Sequence, residues 1–252
     1  MMAGIREYLI IVNSQNIDSF KNLLGDGSSW GISIKYAVQP KPEGLAQAFL
    51  IGEEFLNNSP SALILGDNLY HGNDLGPQLK KANKNIKNST IFVYPVSDPE
   101  RYGVAEFKNH KVISLSEKPK NPKSRYAVTG LYFYDNTAVE KAKTIKPSQR
   151  GELEITSLNN LYLKEDNLNV EIMGRGIAWL DTGTFGSLHQ AGSYIRVLER
   201  RQGLKVGCPE EVAWRKGWIK DHELELIANT MIKSGYGKYL LEILNDPLKN
   251  NF

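Results

Sequence analysis

Apolar residues in the first hundred positions fall in short continuous blocks, separated by stretches whose apolar residues recur at helical spacing. The blocks at residues 8–12, 33–39, 61–65 and 90–96 predict strands, the unbroken ones of the kind buried on both faces. The intervening stretches 16–24, 45–56 and 75–84 predict helices, with Asn16 as a candidate cap and Gly25 as a stop. This alternation predicts an α/β sheet with a parallel core. The middle of the chain reads differently. Residues 104–108 and 111–115 flank Asn109-His110 as the arms of a hairpin. Residues 128–134 and 170–173 predict strands, and 139–143 and 154–163 predict helices. From residue 185 onward the pattern is helical, at 185–201, 210–216, 223–233 and 238–244, punctuated by Gly203, Gly217 and Gly235. The expected organisation is an α/β core over residues 1–183 and a helical C-terminal subdomain over 184–252.

Composition narrows the function class. With 252 residues and 41% apolar side chains the chain can bury a sizeable core. A net charge of +3, from 31 basic and 28 acidic residues, gives no footprint for nucleic acid. Cys208 is the single cysteine, which excludes an intrachain disulfide and suits a cytoplasmic protein. The longest apolar runs, 9–12 and 62–65, are far too short to span a bilayer. The N-terminus shows no apolar core of a signal peptide.

Several short stretches could carry chemistry. The strand ending in Leu65-Gly66-Asp67-Asn68 places Asp67 where ligands of open α/β sheets bind, beyond a strand's carboxyl end. An aspartate there can hold a divalent cation beside phosphates, or form an ordinary turn. Asp181, in Trp179-Leu180-Asp181-Thr182-Gly183-Thr184, is a second such candidate, or part of a helix cap. Gln39 offers a donor and an acceptor suited to a nucleobase edge, and Gly44 would let a flat ring approach the backbone. Both also fit a plain strand–helix connection. Glu117 and Lys118 could hold a sugar hydroxyl and a phosphate, or pair on the surface. Arg150, just before a helix, could grip phosphate or stay solvated. His71, His110, His189 and His222 show no metal-ligand spacing, and no Ser/His/Asp triad is evident.

Taken in order, these stretches are more specific than any one of them. Gln39-Pro40-Lys41-Pro42-Glu43-Gly44-Leu45-Ala46-Gln47-Ala48, Leu65-Gly66-Asp67-Asn68, Asp98-Pro99-Glu100-Arg101-Tyr102-Gly103-Val104 and Glu117-Lys118-Pro119 are four of them. Thr129-Gly130-Leu131-Tyr132-Phe133-Tyr134-Asp135, Arg150-Gly151-Glu152-Leu153-Glu154-Ile155-Thr156 and the stretch from Gly174 to Thr184 complete the series. Together they resemble the successive motifs of the glucose-1-phosphate thymidylyltransferases, within the sugar nucleotidyltransferase superfamily. The resemblance implies a Rossmann-like mixed, mainly parallel sheet flanked by helices. It implies nucleotidyl transfer from dTTP to glucose 1-phosphate, giving dTDP-glucose and pyrophosphate with Mg²⁺, in a homotetramer serving dTDP-rhamnose and polysaccharide synthesis. Gln39, Pro42, Gly44, Leu45 and Asp67 would bind the nucleotide, and Asp67 and Asp181 the metal. Asn68, Gly103, Glu117, Lys118, Val128, Gly130, Tyr132 and Trp179 would bind the sugar phosphate. Asp67, Lys118, Arg150 and Asp181 would be catalytic. Tyr70, His71, Gly72, Gly174, Arg175, Gly176 and the Arg200-Arg201-Gln202 segment resemble a regulatory nucleotide site. The family's opening strand, glycine-rich loop with its Arg, and a segment with a Lys have no counterpart here, because Met1 already aligns just before the family's second strand. Two alternatives fit the same motifs: a non-catalytic sugar-nucleotide-binding or assembly subunit, and a sister enzyme using another nucleotide or sugar.

Overall fold

The computed structural model describes residues 1–247, so residues 248–252 of the predicted helical subdomain lie outside the described residues. In chain order the first elements are β1 (Glu7–Val12), α1 (Ile17–Leu24), β2 (Ser33–Val38), α2 (Gln47–Ile51), α3 (Glu53–Leu56), β3 (Ser61–Ile64), β4 (Asn68–His71), α4 (Leu75–Lys84) and β5 (Ser89–Pro95). They are followed by β6 (Gly103–Lys108), β7 (Lys111–Glu117), β8 (Tyr126–Tyr134), α5 (Ala138–Thr144), α6 (Ile155–Lys164), β9 (Leu168–Ile172) and β10 (Ala178–Asp181). The tail forms α7 (Phe185–Gln202), α8 (Pro209–Arg215), α9 (Asp221–Thr230) and α10 (Tyr236–Asn245).

Most predicted elements are present within a residue or two. Asn109 and His110 both adopt left-handed φ, 50° and 63°. A two-residue hairpin turn demands that backbone to match the twist of its strands. The helix expected over 45–56 is divided at Gly52 into α2 and α3. Two four-residue strands, β4 and β10, were not expected. They are too short for any periodicity, and among the described residues they pair with each other and with no other strand.

The main sheet runs β7-β6-β8-β5-β9, with β3 also on β8. Tyr132 of β8 faces Leu63 of β3 on one side and Ile91 of β5 on the other. β8 is antiparallel to both, while β9 is parallel to β5. Strands β3, β5 and β9 therefore share one direction, and β8 runs against them. The expected parallel core is corrected in this respect: among the described residues the sheet's one parallel ladder is β5–β9. The reason lies in the connection. β8 follows the β6–β7 hairpin and pairs back antiparallel to β6, so no helical crossover sets its direction. The other edge of β3 carries no ladder among the described residues, and Ile64 there is 56% exposed.

The chain divides into two compact units. Residues 11–14 and 37–191 form the larger one; residues 1–10, 15–36 and 192–247 form the other. The larger unit's core gathers Ile91, Val93, Tyr132, Tyr134, Leu158 and Tyr162 between the sheet and α2, α5 and α6. Each such aliphatic side chain contributes about 1.5–3 kcal/mol by leaving water. The buried hydroxyl of Tyr134 donates to Asn159 Oδ1 at 2.6 Å, which satisfies it without solvent. In the smaller unit Leu224, Ala228, Leu240 and Ile243 join α9 to α10. Buried Glu210 there accepts from Trp30 Nε1 at 3.1 Å and Tyr236 Oη at 2.6 Å. Burial pushes the Cys208 thiol up to about 11, so little reactive thiolate forms at neutral pH.

Candidate active site

A cleft of about 280 Å³ opens within the larger unit. Val128, Gly130 and Tyr132 of β8 line it together with Leu65, Asp67 and Asn68 beyond β3. Trp179 and Asp181 of β10, Gly103 of β6 and Glu117 of β7 join them, as do Lys118, Thr156 of α6 and the preceding Arg150.

The unexpected β4–β10 ladder builds one end. Its register sets Asp181 opposite Asn68. The pairing continues as the Thr182 N–H donates to the Asp67 carbonyl at 2.9 Å, with the Thr182 hydroxyl adding a 2.7 Å bond. Two aspartates far apart in sequence are thereby carried on adjacent backbone. Asp67 Oδ1 accepts from Asn68 Nδ2 at 2.8 Å, and Asn68 Oδ1 accepts from Trp179 Nε1 at 2.6 Å. Asp181 Oδ1 accepts the Gly183 N–H at 3.0 Å, a local turn that aims the other oxygen elsewhere. Among the described residues no group of three His, Cys, Asp or Glu side chains is placed to hold a metal. A pair of carboxylates suits Mg²⁺, which takes one or two of them and fills its octahedron with phosphate oxygens and water.

Another part of the lining is a charge network. Thr156 Oγ1 donates to Glu117 Oε2 at 2.5 Å. Arg150 pairs with Glu152 at 2.9 Å and stands 3.6 Å from both Glu117 and Glu154. Burial pushes the Glu117 carboxyl above its ordinary range, against the lowering effects of the Thr156 hydroxyl, Lys118 and Arg150. Lys118 holds a left-handed φ of 40°, unusual outside glycine, and its N–H is fixed to the Tyr102 carbonyl at 3.0 Å. Backbone strain of this kind concentrates at functional sites. Tyr132 is buried, and that burial raises its hydroxyl's pKa.

Leu45, Asp67, Asn68, Gly103, Glu117, Lys118, Val128, Gly130, Tyr132, Arg150, Trp179 and Asp181 thus line one cleft. Gln39, Pro42 and Gly44 do not border it. The Gln39 side-chain amide donates to Gln47 Oε1 at 2.7 Å, and Gln47 Nε2 in turn donates to Glu43 Oε2 at 2.8 Å. Gly44 has φ 102°, and a Cβ there would stand 2.5 Å from the backbone N and O of Leu153. The close approach that Gly44 allows is that of Leu153, whose N–H bonds the Glu43 carbonyl at 2.7 Å. Gly44→Ala is expected to cost about 1–3 kcal/mol, read as a lowered urea midpoint with an unchanged slope.

Thr156, Arg101, Tyr102 and Glu154 were not singled out as site residues from the sequence, yet all four line the cleft. Arg101 and Tyr102 lay inside a quoted motif; Thr156 carried no signal apart from its motif. The residues resembling a regulatory site are partly brought together. Tyr70 and His71 lie opposite Trp179 and Ala178. A Cβ on Gly72 would stand 2.4 Å from the Gly176 carbonyl, so the 70–72 and 174–176 segments touch. Arg200, Arg201 and Gln202 end α7 in the other unit.

The mixed α/β sheet carries a cleft lined by Asp67, Glu117, Glu152, Glu154 and Asp181 together with Arg101, Lys118 and Arg150, and the class of the chain is that of the nucleotidyltransferases. The sequence profile of the nucleotidyl transferase family matches residues 1–196. Within that class, the chain belongs to the glucose-1-phosphate thymidylyltransferase family. It is 55% identical over 245 residues to the glucose-1-phosphate thymidylyltransferase of Neisseria meningitidis serogroup A, covering 97% of this chain and 85% of that one. It is 53% identical to that of Mycobacterium tuberculosis, with the same coverage. A Bacillus anthracis protein assigned to these thymidylyltransferases, crystallised with a sucrose, superposes with a TM-score of 0.70 at 39% identity, over 80% of this chain and 78% of that one.

Proposed function

We propose that the cleft transfers a thymidylyl group from dTTP to glucose 1-phosphate, releasing pyrophosphate and leaving dTDP-glucose. The observation that carries this reading is that Asp67, Asp181, Glu117, Lys118 and Arg150 all line one cleft. A phosphate oxygen of glucose 1-phosphate attacks the α-phosphorus of dTTP, and the bond to pyrophosphate breaks. Little covalent work falls to the protein, so positioning and charge neutralisation dominate. Lys118 and Arg150 hold the sugar phosphate, Arg150 through its planar donor fork. Glu117 accepts sugar hydroxyls alongside Gly103, Gly130, Asn68 and Val128, while Tyr132 and Trp179 wall the pocket. Leu45 packs on the thymine side, and Gln39, Pro42 and Gly44 belong to the loop that leads into it. Asp67 and Asp181 are the residues that would hold Mg²⁺. When bound, the ion neutralises charge on the phosphoryl oxygens.

Further parts of the reading extend beyond the cleft. The protein works in the cytoplasm as a homotetramer, with a regulatory nucleotide site to which Tyr70 to Gly72 and Gly174 to Gly176 contribute. Its product feeds dTDP-rhamnose and cell-surface polysaccharide.

The test is pyrophosphate release from dTTP and glucose 1-phosphate with Mg²⁺. It is run on this chain and on a version extended at its N-terminus by a relative's opening segment, with other nucleoside triphosphates and sugar phosphates as controls. Preference for the dTTP–glucose 1-phosphate pair in either form supports the reading. Folded protein without turnover in both forms would count against it.

The pKa of Glu117 gives a pH signature. Its folded value is raised, so its contribution to stability is present below the ordinary carboxylate range and is lost as pH rises through the folded value. At neutral pH the ionised group serves the sugar and not the fold. Glu117→Gln is therefore expected to leave the melting temperature at pH 7 unchanged or higher, while raising KM for glucose 1-phosphate. In the parent protein that KM rises as pH falls toward the raised pKa, and the variant lacks this limb. Melting curves and KM measured from pH 5 to 8 check both parts.

A further inference from the structure

Asp181 offers the cleft one oxygen, since Oδ1 is held by the Gly183 N–H. That remaining oxygen, Oδ2, meets Arg101 Nη2 at 3.4 Å and the Tyr102 hydroxyl at 3.5 Å. Both contacts are long against a usual N–H···O distance of about 2.9 Å. The same guanidinium makes its short bond elsewhere, from Nη1 to Asp98 Oδ2 at 2.9 Å, and its Cζ lies 5.3 Å from the Tyr102 ring centre. Its side chain is 42% exposed. Arg101 therefore has a resting place that does not need Asp181, and open space to move into. Asp67, by contrast, makes no ion pair among the described residues.

A divalent cation and a guanidinium cannot share Oδ2 without like-charge repulsion at short range. We infer that Arg101 is the resident counter-ion of Asp181. It must leave that carboxylate before a divalent cation binds there, and Asp98 is the tether that draws it away. The inference rests on the proposed metal-binding role of Asp67 and Asp181. In the metal-free protein Arg101 offsets the Asp181 charge. When a cation arrives, the weak 3.4 Å contact yields and the Asp98 bond keeps the guanidinium at the cleft mouth. Arg101 is thus a positioning residue that sets how readily the cleft takes its metal. Asp98 and Arg101 act on that affinity with opposite signs.

The experiment measures binding of Mn²⁺ alone to the full chain, by the electron paramagnetic resonance signal of the free ion. Arg101→Met removes the charge and keeps an apolar chain over Tyr102. It is expected to bind Mn²⁺ about three- to tenfold more tightly, the range set by an exposed ion pair plus relieved repulsion. Asp98→Asn releases the tether and leaves Asp181 as the nearest carboxylate for Arg101, so binding weakens by about two- to fivefold. A merely structural Arg101 would not move the affinity in opposite directions in the two variants. Asp181→Asn is the reference for the site. Should it abolish saturable Mn²⁺ binding while Arg101→Met and Asp98→Asn match the parent, the inference about Arg101 is overturned and the metal assignment stands. If Asp181→Asn and Asp67→Asn leave Mn²⁺ binding intact, the metal assignment fails and this inference with it. Melting curves accompany each variant. Should Arg101→Met not fold, the sign of the Asp98→Asn change decides alone, with an unchanged or tighter affinity overturning the proposal.

Discussion

Asp67→Asn is expected to lower pyrophosphate release by about 10²–10³-fold while the protein melts within a few degrees of the parent. The fold is spared because the structural bonds at this position go to the backbone. The N–H and hydroxyl of Thr182 both donate to the Asp67 carbonyl, not to its side chain. The bond from Asn68 Nδ2 to its carboxylate can be kept by an amide oxygen. What asparagine removes is the negative charge. An oxygen ligand for a hard cation loses most of its affinity once neutral. The result to measure is kcat with saturating dTTP and glucose 1-phosphate across a Mg²⁺ titration. A shift of the metal requirement toward higher concentration fits the reading. A loss of less than tenfold, with the same Mg²⁺ dependence, would remove Asp67 from the metal site.

Arg150→Ala should be nearly as severe, with a loss of about 10- to 150-fold in kcat/KM for glucose 1-phosphate. That range is what a charge-assisted bond of about 1.5–3 kcal/mol to phosphate would supply. A second effect separates this substitution from simple loss of a contact. Glu117, Glu152 and Glu154 all face the guanidinium, at 3.6, 2.9 and 3.6 Å. Removing it leaves three carboxylates together. Arg150 is one of the groups that hold the Glu117 pKa down, and Glu154 pushes it up. Without Arg150 that pKa rises further, so the acid limb of kcat/KM moves to higher pH. Arg150→Lys keeps the charge without the fork; it should restore the limb's position and only part of the rate. If the pH profile of Arg150→Ala overlays that of the parent, Arg150 and Glu117 are not coupled in the working enzyme.

Most local structure was legible in the sequence, because helix and strand periodicities and turn residues act within a few positions. Helix α4 occupies the residues its apolar spacing predicted, and the Asn109-His110 turn takes the left-handed backbone its hairpin requires. The direction of β8 was not legible. It depends on a strand following a hairpin being taken into the centre of the sheet, and an apolar run is the same whichever way it points. The candidate site was legible as a string of motifs but not as an arrangement. Glu117 and Lys118 suggested a sugar and a phosphate contact, yet nothing local tied Glu117 to Thr156. Gly44 suggested a close approach but could not say by what; the structure puts the Leu153 backbone there.

The sequence by itself determined most of the elements, the order of the motifs and the family, since these follow from side-chain chemistry read over short spans. Only the tertiary structure decided which charges meet. Asp67 and Asp181 are brought onto adjacent backbone by β4 and β10, strands of four residues each that have no stability alone and exist because they pair with each other. The placing of Arg101 against Asp181, and of Arg150 among three glutamates, follows the same rule. A charge's partner is set by distance through space, and distance along the chain carries no record of it.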